Sequence, residues 1–216
     1  MRSYVRDLGG TPRIRDIVEL LAADRTYYVR SDGSDNNNGL TNDAAGAFLT
    51  KQKAIDVLAA GVDLNGFKAK IKVADGTFTG TIVFKNVRGY AALGDLTLEG
   101  NTTTPANALL SYNTAGFPIT ANGLSSVWDF KGFRIDNAGN LFNLFVTNNT
   151  VLRIGNIESK GARTHSHFTI QNESVLQLIG KIEFVDGGSS PAAFNITQHS
   201  TAECINQPIV WSGTGA

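Results

Sequence analysis

Asn149-Thr150-Val151-Leu152-Arg153-Ile154-Gly155-Asn156-Ile157-Glu158 and Glu173-Ser174-Val175-Leu176-Gln177-Leu178-Ile179-Gly180-Lys181-Ile182-Glu183 are two versions of one unit. Val151 and Val175 lie 24 residues apart, as do Ile154 and Leu178. After one inserted residue, Ile157 matches Ile182 and Glu158 matches Glu183, each 25 apart. A fainter pair, Phe168-Thr169-Ile170-Gln171-Asn172-Glu173-Ser174 and Phe194-Asn195-Ile196-Thr197-Gln198-His199-Ser200, is offset by 26. A period of this size, filled by several short strands, is one coil of a parallel β-helix. Each coil leaves an apolar strip that only its neighbours can cover, so stacked coils build one core. The same register sets Asn148 beside Asn172, a candidate inward asparagine ladder at a turn. The expected fold class is all-β: a right-handed, single-stranded parallel β-helix.

Working outward, short apolar-alternating segments recur from residue 67 onward: Ala69–Val73, Ile82–Phe84, Leu96–Leu98, Ala108–Leu110, Trp128–Ile135, Leu141–Val146 and Val151–Ile154. Gly, Asn, Asp and Thr clusters separate them, as turn chemistry requires. Two helices are expected. Residues 12–24 start at Pro12 and place Ile14, Ile17, Val18 and Leu21 at helical spacing. A helix this short needs a partner surface, so those four residues are the candidate partner-binding face. Residues 50–60 have Thr50 as N-cap, a stripe of Ala54, Ile55, Leu58 and Ala59, and Gly61 as the stop. This second helix is placed to cover the first coil, whose open strand edge would otherwise invite aggregation. The chain thus divides into an N-terminal anchoring segment (1–25), an entry strand, loop and capping helix (26–66), and the coils (67–216).

Composition limits the function classes. Lys+Arg and Asp+Glu both number 19, so the formal net charge is zero and nothing pulls the chain globally toward nucleic acid or an anionic membrane. One cysteine, Cys204, excludes an intrachain disulfide framework. No apolar run reaches spanning length and no signal peptide opens the chain, so a soluble protein without membrane insertion is expected. No P-loop, dinucleotide-binding glycine motif or G-x-S-x-G elbow occurs, and no cofactor is expected.

Tyr27-Tyr28-Val29-Arg30-Ser31-Asp32-Gly33-Ser34-Asp35-Asn36-Asn37-Asn38-Gly39-Leu40, followed by Ala47-Phe48-Leu49-Thr50 and Ala54-Ile55-Asp56, resembles the entry segment of pectate-lyase-like β-helix proteins. Val73-Ala74-Asp75-Gly76-Thr77-Phe78-Thr79-Gly80 is similar to the first-coil motif of that family. The resemblance covers roughly residues 26–100 by motif, and the remainder by architecture. One position departs from it: Lys51 stands where the family carries an apolar residue. Segments of this kind are common in phage tail fibres, tailspikes and prophage proteins. The resemblance therefore implies a virion structural protein, anchored to other virion proteins (tail or portal/adaptor region) through its N-terminal segment. It also implies a homotrimer in contact with a host-surface polysaccharide. A polysaccharide lyase or hydrolase on the same fold, and a non-catalytic carbohydrate-binding module, are the alternatives.

Catalysis on such a fold would need clustered carboxylates at controlled separation. Glu158 and Glu183 are the candidates, because the repeat puts them on adjacent coils, near enough to share a proton. The simpler reading is two solvated glutamates neutralised by Lys160 and Lys181, and the balance leans away from an enzyme. Asp129, Asp136 and Asp186 are weaker candidates. His165 and His167 form an H-x-H pair that would bind metal only if a trimer brought three pairs together. The Asp32–Gly39 loop lacks the alternate carboxylate spacing of a calcium loop and reads as a self-satisfied turn. Tyr112 and Trp128, with Phe117 and Trp211, are candidates for stacking on sugar rings, although core packing is the commoner fate of aromatic residues.

Overall fold

The structure is a computed structural model that describes residues 18–113, 116–138, 142–160, 166–186, 193–205 and 207–213, with backbone alone at 186 and 211–213. In chain order, β1 (Glu19–Leu20) and β2 (Arg25–Val29) precede helix α1 (Lys51–Gly61) and β3 (Val62–Asp63). Next come β4 (Ala69–Val73), β5 (Gly76–Phe78), β6 (Ile82–Val83), β7 (Leu96–Glu99), β8 (Ala108–Tyr112) and β9 (Ile119–Asn122). The long strands β10 (Trp128–Asn137) and β12 (Val151–Lys160) flank β11 (Leu144–Thr147). The chain ends with β13 (Phe168–Ile170), β14 (Val175–Leu178), β15 (Ile182–Asp186), β16 (Phe194–Ile196), β17 (Thr201–Cys204) and β18 (Ile209–Gly213).

These strands wind into a parallel β-solenoid of about 5 turns. One face stacks β2, β4, β7, β10, β12, β14 and β17 in that order. A second stacks β5, β8, the later halves of β10 and β12, β15 and β18. The third stacks β6, β9, β11, β13 and β16. Every pairing is parallel, as it must be when each strand meets its counterpart one turn later. The repeat read from the sequence is the observed register: Val151 faces Val175, Ile154 faces Leu178, Ile157 faces Ile182 and Glu158 faces Glu183. The offset of 26 is observed too, with Phe168 facing Phe194.

Inward positions form continuous apolar columns, for example Leu96, Trp128, Leu152 and Leu176, all 0% exposed. The bend between the first two faces is lined by glycines. A Cβ on Gly100 would sit 2.3 Å from the Gly132 carbonyl oxygen, and one on Gly155 would sit 2.9 Å from the Gly180 nitrogen. Coils one strand spacing apart leave no room there for any side chain.

The turn after the third face departs from expectation in one respect. Asn172 Nδ2 donates to Asn148 Oδ1 at 2.9 Å, and Asn148 Nδ2 donates to Asn122 Oδ1 at 2.8 Å, so the asparagine ladder exists. It runs along the outside, however, with Asn148 exposed. The inward place is taken by hydroxyls: Thr150 and Ser174 are fully buried, and Ser174 Oγ accepts the Thr150 N–H at 3.2 Å. Asn148 and Asn172 have φ of 58° and 55°, a left-handed conformation that asparagine tolerates well.

Residues 12–17 of the helix expected at 12–24, Ile14 and Ile17 among them, fall outside the described residues. Its later part is not helical: Glu19 and Leu20 pair with Val62 and Asp63. Leu21, expected on the partner face, packs into this chain's own core at 1% exposure, while Val18 is half-buried.

The expected capping helix is present. Thr50 Oγ1 accepts the Lys53 N–H at 3.2 Å, and Ala54, Ile55 and Leu58 are 0% exposed against the first coil. The helix runs through Gly61 and is capped at Val62, one residue later than the glycine stop predicts. Asp35 ties the loop to the helix start. Its Oδ1 accepts the Leu49 and Thr50 N–H groups at 3.0 and 2.9 Å, and its Oδ2 accepts the Thr50 hydroxyl at 2.7 Å. Asp35→Ala is expected to cost about 2 kcal/mol through loss of these charge-assisted bonds. The check is the urea midpoint, and Asp35→Asn should recover part of the loss.

Lys51, the departure from the family pattern, is 1% exposed. Its Nζ donates to the Thr79 carbonyl at 2.9 Å and lies 5.2 Å from the Phe78 ring centre. Burial lowers its pKa to about 8. The folded state thus resists the charged form while the unfolded state accepts it, so stability rises as pH climbs from about 8 toward 10.5. At pH 7, Lys51→Met is expected to stabilise the protein by roughly 1–2 kcal/mol, since it removes a buried charge and loses one hydrogen bond. Parallel thermal melts of both proteins would check this, and the advantage should shrink at pH 10.

Candidate functional site

The outer side of the first two faces carries rows of charged groups, because side chains alternate in and out along each strand. Glu99 on β7 lies at the centre of three lysines: Lys72 at 3.0 Å, Lys131 at 3.3 Å and Lys70 at 3.5 Å. Burial alone would raise the Glu99 pKa, but the Lys72 hydrogen bond and the three positive charges together hold it below the usual carboxylate range. Asp129 on β10 meets Arg153 on β12 at 3.0 Å. Burial dominates there and raises the Asp129 pKa against the pull of Arg153 and Lys131.

Glu158 and Glu183 stand on adjacent strands, as the repeat requires. Each has a cation of its own. Arg134 Nη1 is 3.9 Å from Glu158, and Lys181 Nζ is 2.6 Å from Glu183. Lys160, expected beside Glu158, pairs with Asp136 at 3.8 Å instead. The Asp186 side chain is outside the description. What most of these pairs do chemically is cancel charge between neighbouring coils.

His167 is fully buried, which removes it from any trimer-axis metal site, and His165 lies outside the described residues. His167 Nδ1 is 2.9 Å from Ser159 Oγ, and Asn143 Nδ2 donates to the same oxygen at 2.8 Å. Among the described residues, no group of three or more His, Cys, Asp or Glu side chains could hold a metal ion. In the Asp32–Gly39 loop the carboxylates are engaged by the chain itself: Asp32 by Arg30 at 2.8 and 2.9 Å, Asp35 by the helix start.

Tyr112 and Trp128 are buried at 6% and 0% exposure and cannot stack on a sugar. Trp128 Nε1 donates to the Lys85 carbonyl at 2.9 Å, and burial pushes the Tyr112 hydroxyl pKa up. Among the described residues, the exposed aromatic is Phe117, 36% exposed, stacked on Phe145 at 4.3 Å and on Phe142 at 5.1 Å. Phe142 and Phe145 carried no sequence signal that set them apart from core phenylalanines.

No family model, curated protein or solved structure matches the chain. The class of protein is defined by architecture: a parallel β-solenoid closed at its N-terminal end by a helix. No helix among the described residues is long and apolar enough to cross a membrane.

Proposed function

We propose that this chain is a structural protein of a phage virion appendage, of tail-fibre or tailspike type, in which the solenoid serves as a stiff shaft. In this reading the coils wind right-handed in the pectate-lyase-like manner. The segment 1–25 docks on other virion proteins, and three copies associate side by side. The observation that carries the reading is the outer charge row. Glu99, Asp129, Asp136, Glu158 and Glu183 are each held by a cation within 4.0 Å. Four of the five pair with a cation on a neighbouring coil, and such cross-coil pairs stiffen a rod and leave no carboxylate free for chemistry, which suits a shaft better than a cleaving groove. The entry motif at residues 26–56 adds support through its resemblance to such appendages. Host-surface polysaccharide is the expected external contact, with Phe117 as the exposed aromatic.

The test is location. Antibodies raised against the purified chain should decorate one end of intact, gradient-purified particles. Signal found only in the unassembled lysate would overturn the reading.

A further inference from the structure

The third face differs from the other two in charge. Its strands β6, β9, β11, β13 and β16 contain no Asp, Glu, Lys or Arg, whereas the outer side of the first two carries the ion pairs. The positions that alternation turns outward hold Val83, Thr120, Phe145, Thr169 and Asn195, in register from coil to coil. At the start of this face Phe117, Phe142 and Phe145 stack into an apolar ridge. At its end runs the ladder of Asn122, Asn148 and Asn172. Phe145 and Asn148 are three residues apart along β11 and its turn, so ridge and ladder are separated by about 10 Å. Both lie on the flank of the solenoid and are presented sideways, not toward either end.

Internal bonding leaves the ladder with a definite set of outward valences. Each amide has two N–H donors and an oxygen with two acceptor sites. Asn122 Oδ1 takes the Asn148 amide, and among the described residues Asn122 Nδ2 donates to no protein acceptor. Asn148 gives one N–H to Asn122 and keeps the other. Asn172 uses both of its N–H groups, on Asn148 Oδ1 at 2.9 Å and Thr147 Oγ1 at 3.0 Å. Its own Oδ1 accepts no protein donor among the described residues. The row therefore offers donors at one end and an acceptor at the other, with no net charge. A phosphate or carboxylate only accepts and an ammonium only donates, so neither completes it. A hydroxyl does both.

Beside the ladder lies an open depression of about 580 Å³, lined by Asn148, Asn149, Asn172, Glu173, Gln198 and His199. Glu173 holds a φ of 60°, and Asn149, its counterpart one coil earlier, holds 54°. Asparagine suits this left-handed backbone and glutamate does not, so the carboxylate stands there against its own preference. It accepts from hydroxyls and repels a second anion. We propose that this flank binds a neutral polysaccharide, whose hydroxyls meet Asn122, Asn148 and Asn172 and whose C–H side lies against Phe117. A polysaccharide as the external contact is the reading on which this rests; the face, the contacting residues and the uncharged class of glycan go beyond it.

The experiment is binding of the labelled full chain to an array of neutral hexose, deoxyhexose and N-acetylhexosamine oligosaccharides, with uronate, sialylated, sulfated and glucosamine oligomers printed beside them. Binding should fall on neutral glycans alone. Asn122→Asp is the decisive variant. It keeps an oxygen for the Asn148 amide, so the ladder bond survives, and it removes both outward N–H groups. Its affinity for the glycan that wild type binds best should drop about tenfold, with an unchanged circular dichroism spectrum. Phe117→Ser should weaken binding too, while Leu93→Lys, an exposed position on the loop before β7, should leave it unchanged. If Asn122→Asp does not fold, Phe117→Ser set against Leu93→Lys decides. Binding confined to charged glycans, no binding at all, or full affinity in folded Asn122→Asp or Phe117→Ser would overturn the site. Its failure is separable from that of the appendage reading. Antibody-labelled particles with a chain that binds no neutral glycan discard the site alone, and neutral-glycan binding without particle label discards the appendage alone.

Discussion

Trp128→Ala should be the most damaging single substitution in the solenoid, lowering stability by about 4 kcal/mol. The indole is the largest fully buried side chain among the described residues and is 0% exposed. It sits on β10 between Leu96 and Leu152, in the column that runs through the first face. Its ring lies 5.4 Å from that of Phe84, and its N–H donates to the Lys85 carbonyl 43 residues earlier. Truncation therefore removes three things at once: the apolar burial, the contact to Phe84, and the hydrogen bond from the indole to the Lys85 carbonyl. The cavity term accounts for most of the loss, and the orphaned carbonyl adds roughly 1 kcal/mol. Trp128→Phe separates the parts, since it keeps much of the ring volume and loses the hydrogen bond, for an expected cost of about 2 kcal/mol. Urea unfolding followed by far-ultraviolet circular dichroism gives both numbers. A loss below about 1 kcal/mol for the alanine variant would mean that the column is not packed around the indole.

The contrast between Trp128 and the coil register shows what a sequence of this type discloses. Period is legible because stacking in a solenoid forces equivalent residues into equivalent positions. The offsets of 24, 25 and 26 are therefore the pairings themselves. The capping helix is legible because its stripe and its Thr50 cap are local. What a side chain faces is less so. Trp128 and Tyr112 were candidates for sugar contact by residue type, yet the column through Leu152 and Leu176 assigns Trp128 to the inside. The same alignment would have marked Thr150 and Ser174, not Asn148 and Asn172, as the inward rung of the turn, since hydroxyls fit under a bend where amides do not.

Non-local pairing limits the reading at the N-terminus. Ile14, Ile17, Val18 and Leu21 keep helical spacing, but Glu19 and Leu20 are claimed by Val62 and Asp63, more than forty residues away. Periodicity within one window contains no information about that partner. The charge row was half legible. Repeat alignment put Glu158 beside Glu183, but the cations that neutralise them come from Arg134 and Lys181, and Lys160 serves Asp136. Lys51 was visible as an anomaly. Its explanation, a reach to Thr79 across the helix–coil junction, needed the packing.

Acid should weaken the fold through one residue in particular, His167. The ring is 0% exposed, lies 4.9 Å from the Phe184 ring, and presents Nδ1 to Ser159 Oγ at 2.9 Å. Asn143 Nδ2 donates into the same hydroxyl oxygen, which keeps a second lone pair and its own proton for the ring. Either neutral tautomer of the ring satisfies this contact, Nδ1 accepting from the hydroxyl or donating to it. Burial lowers the His167 pKa from 6.5 to about 4. The sign follows directly: between those values the unfolded chain binds a proton that the folded chain refuses. Stability is full above about pH 6.5 and falls as pH drops toward 4. At about 1.4 kcal/mol per unit, the loss reaches roughly 3 kcal/mol by pH 4. Carboxylates titrate in the lower part of this window too, so the comparison must be a difference. Urea midpoints of wild type and His167→Gln at pH 7.5, 5.5 and 4.2 are the measurement. His167→Gln should be less stable at pH 7.5, where the native network is intact, and should close most of that gap by pH 4.2. Parallel curves for the two proteins would show that His167 is not held neutral.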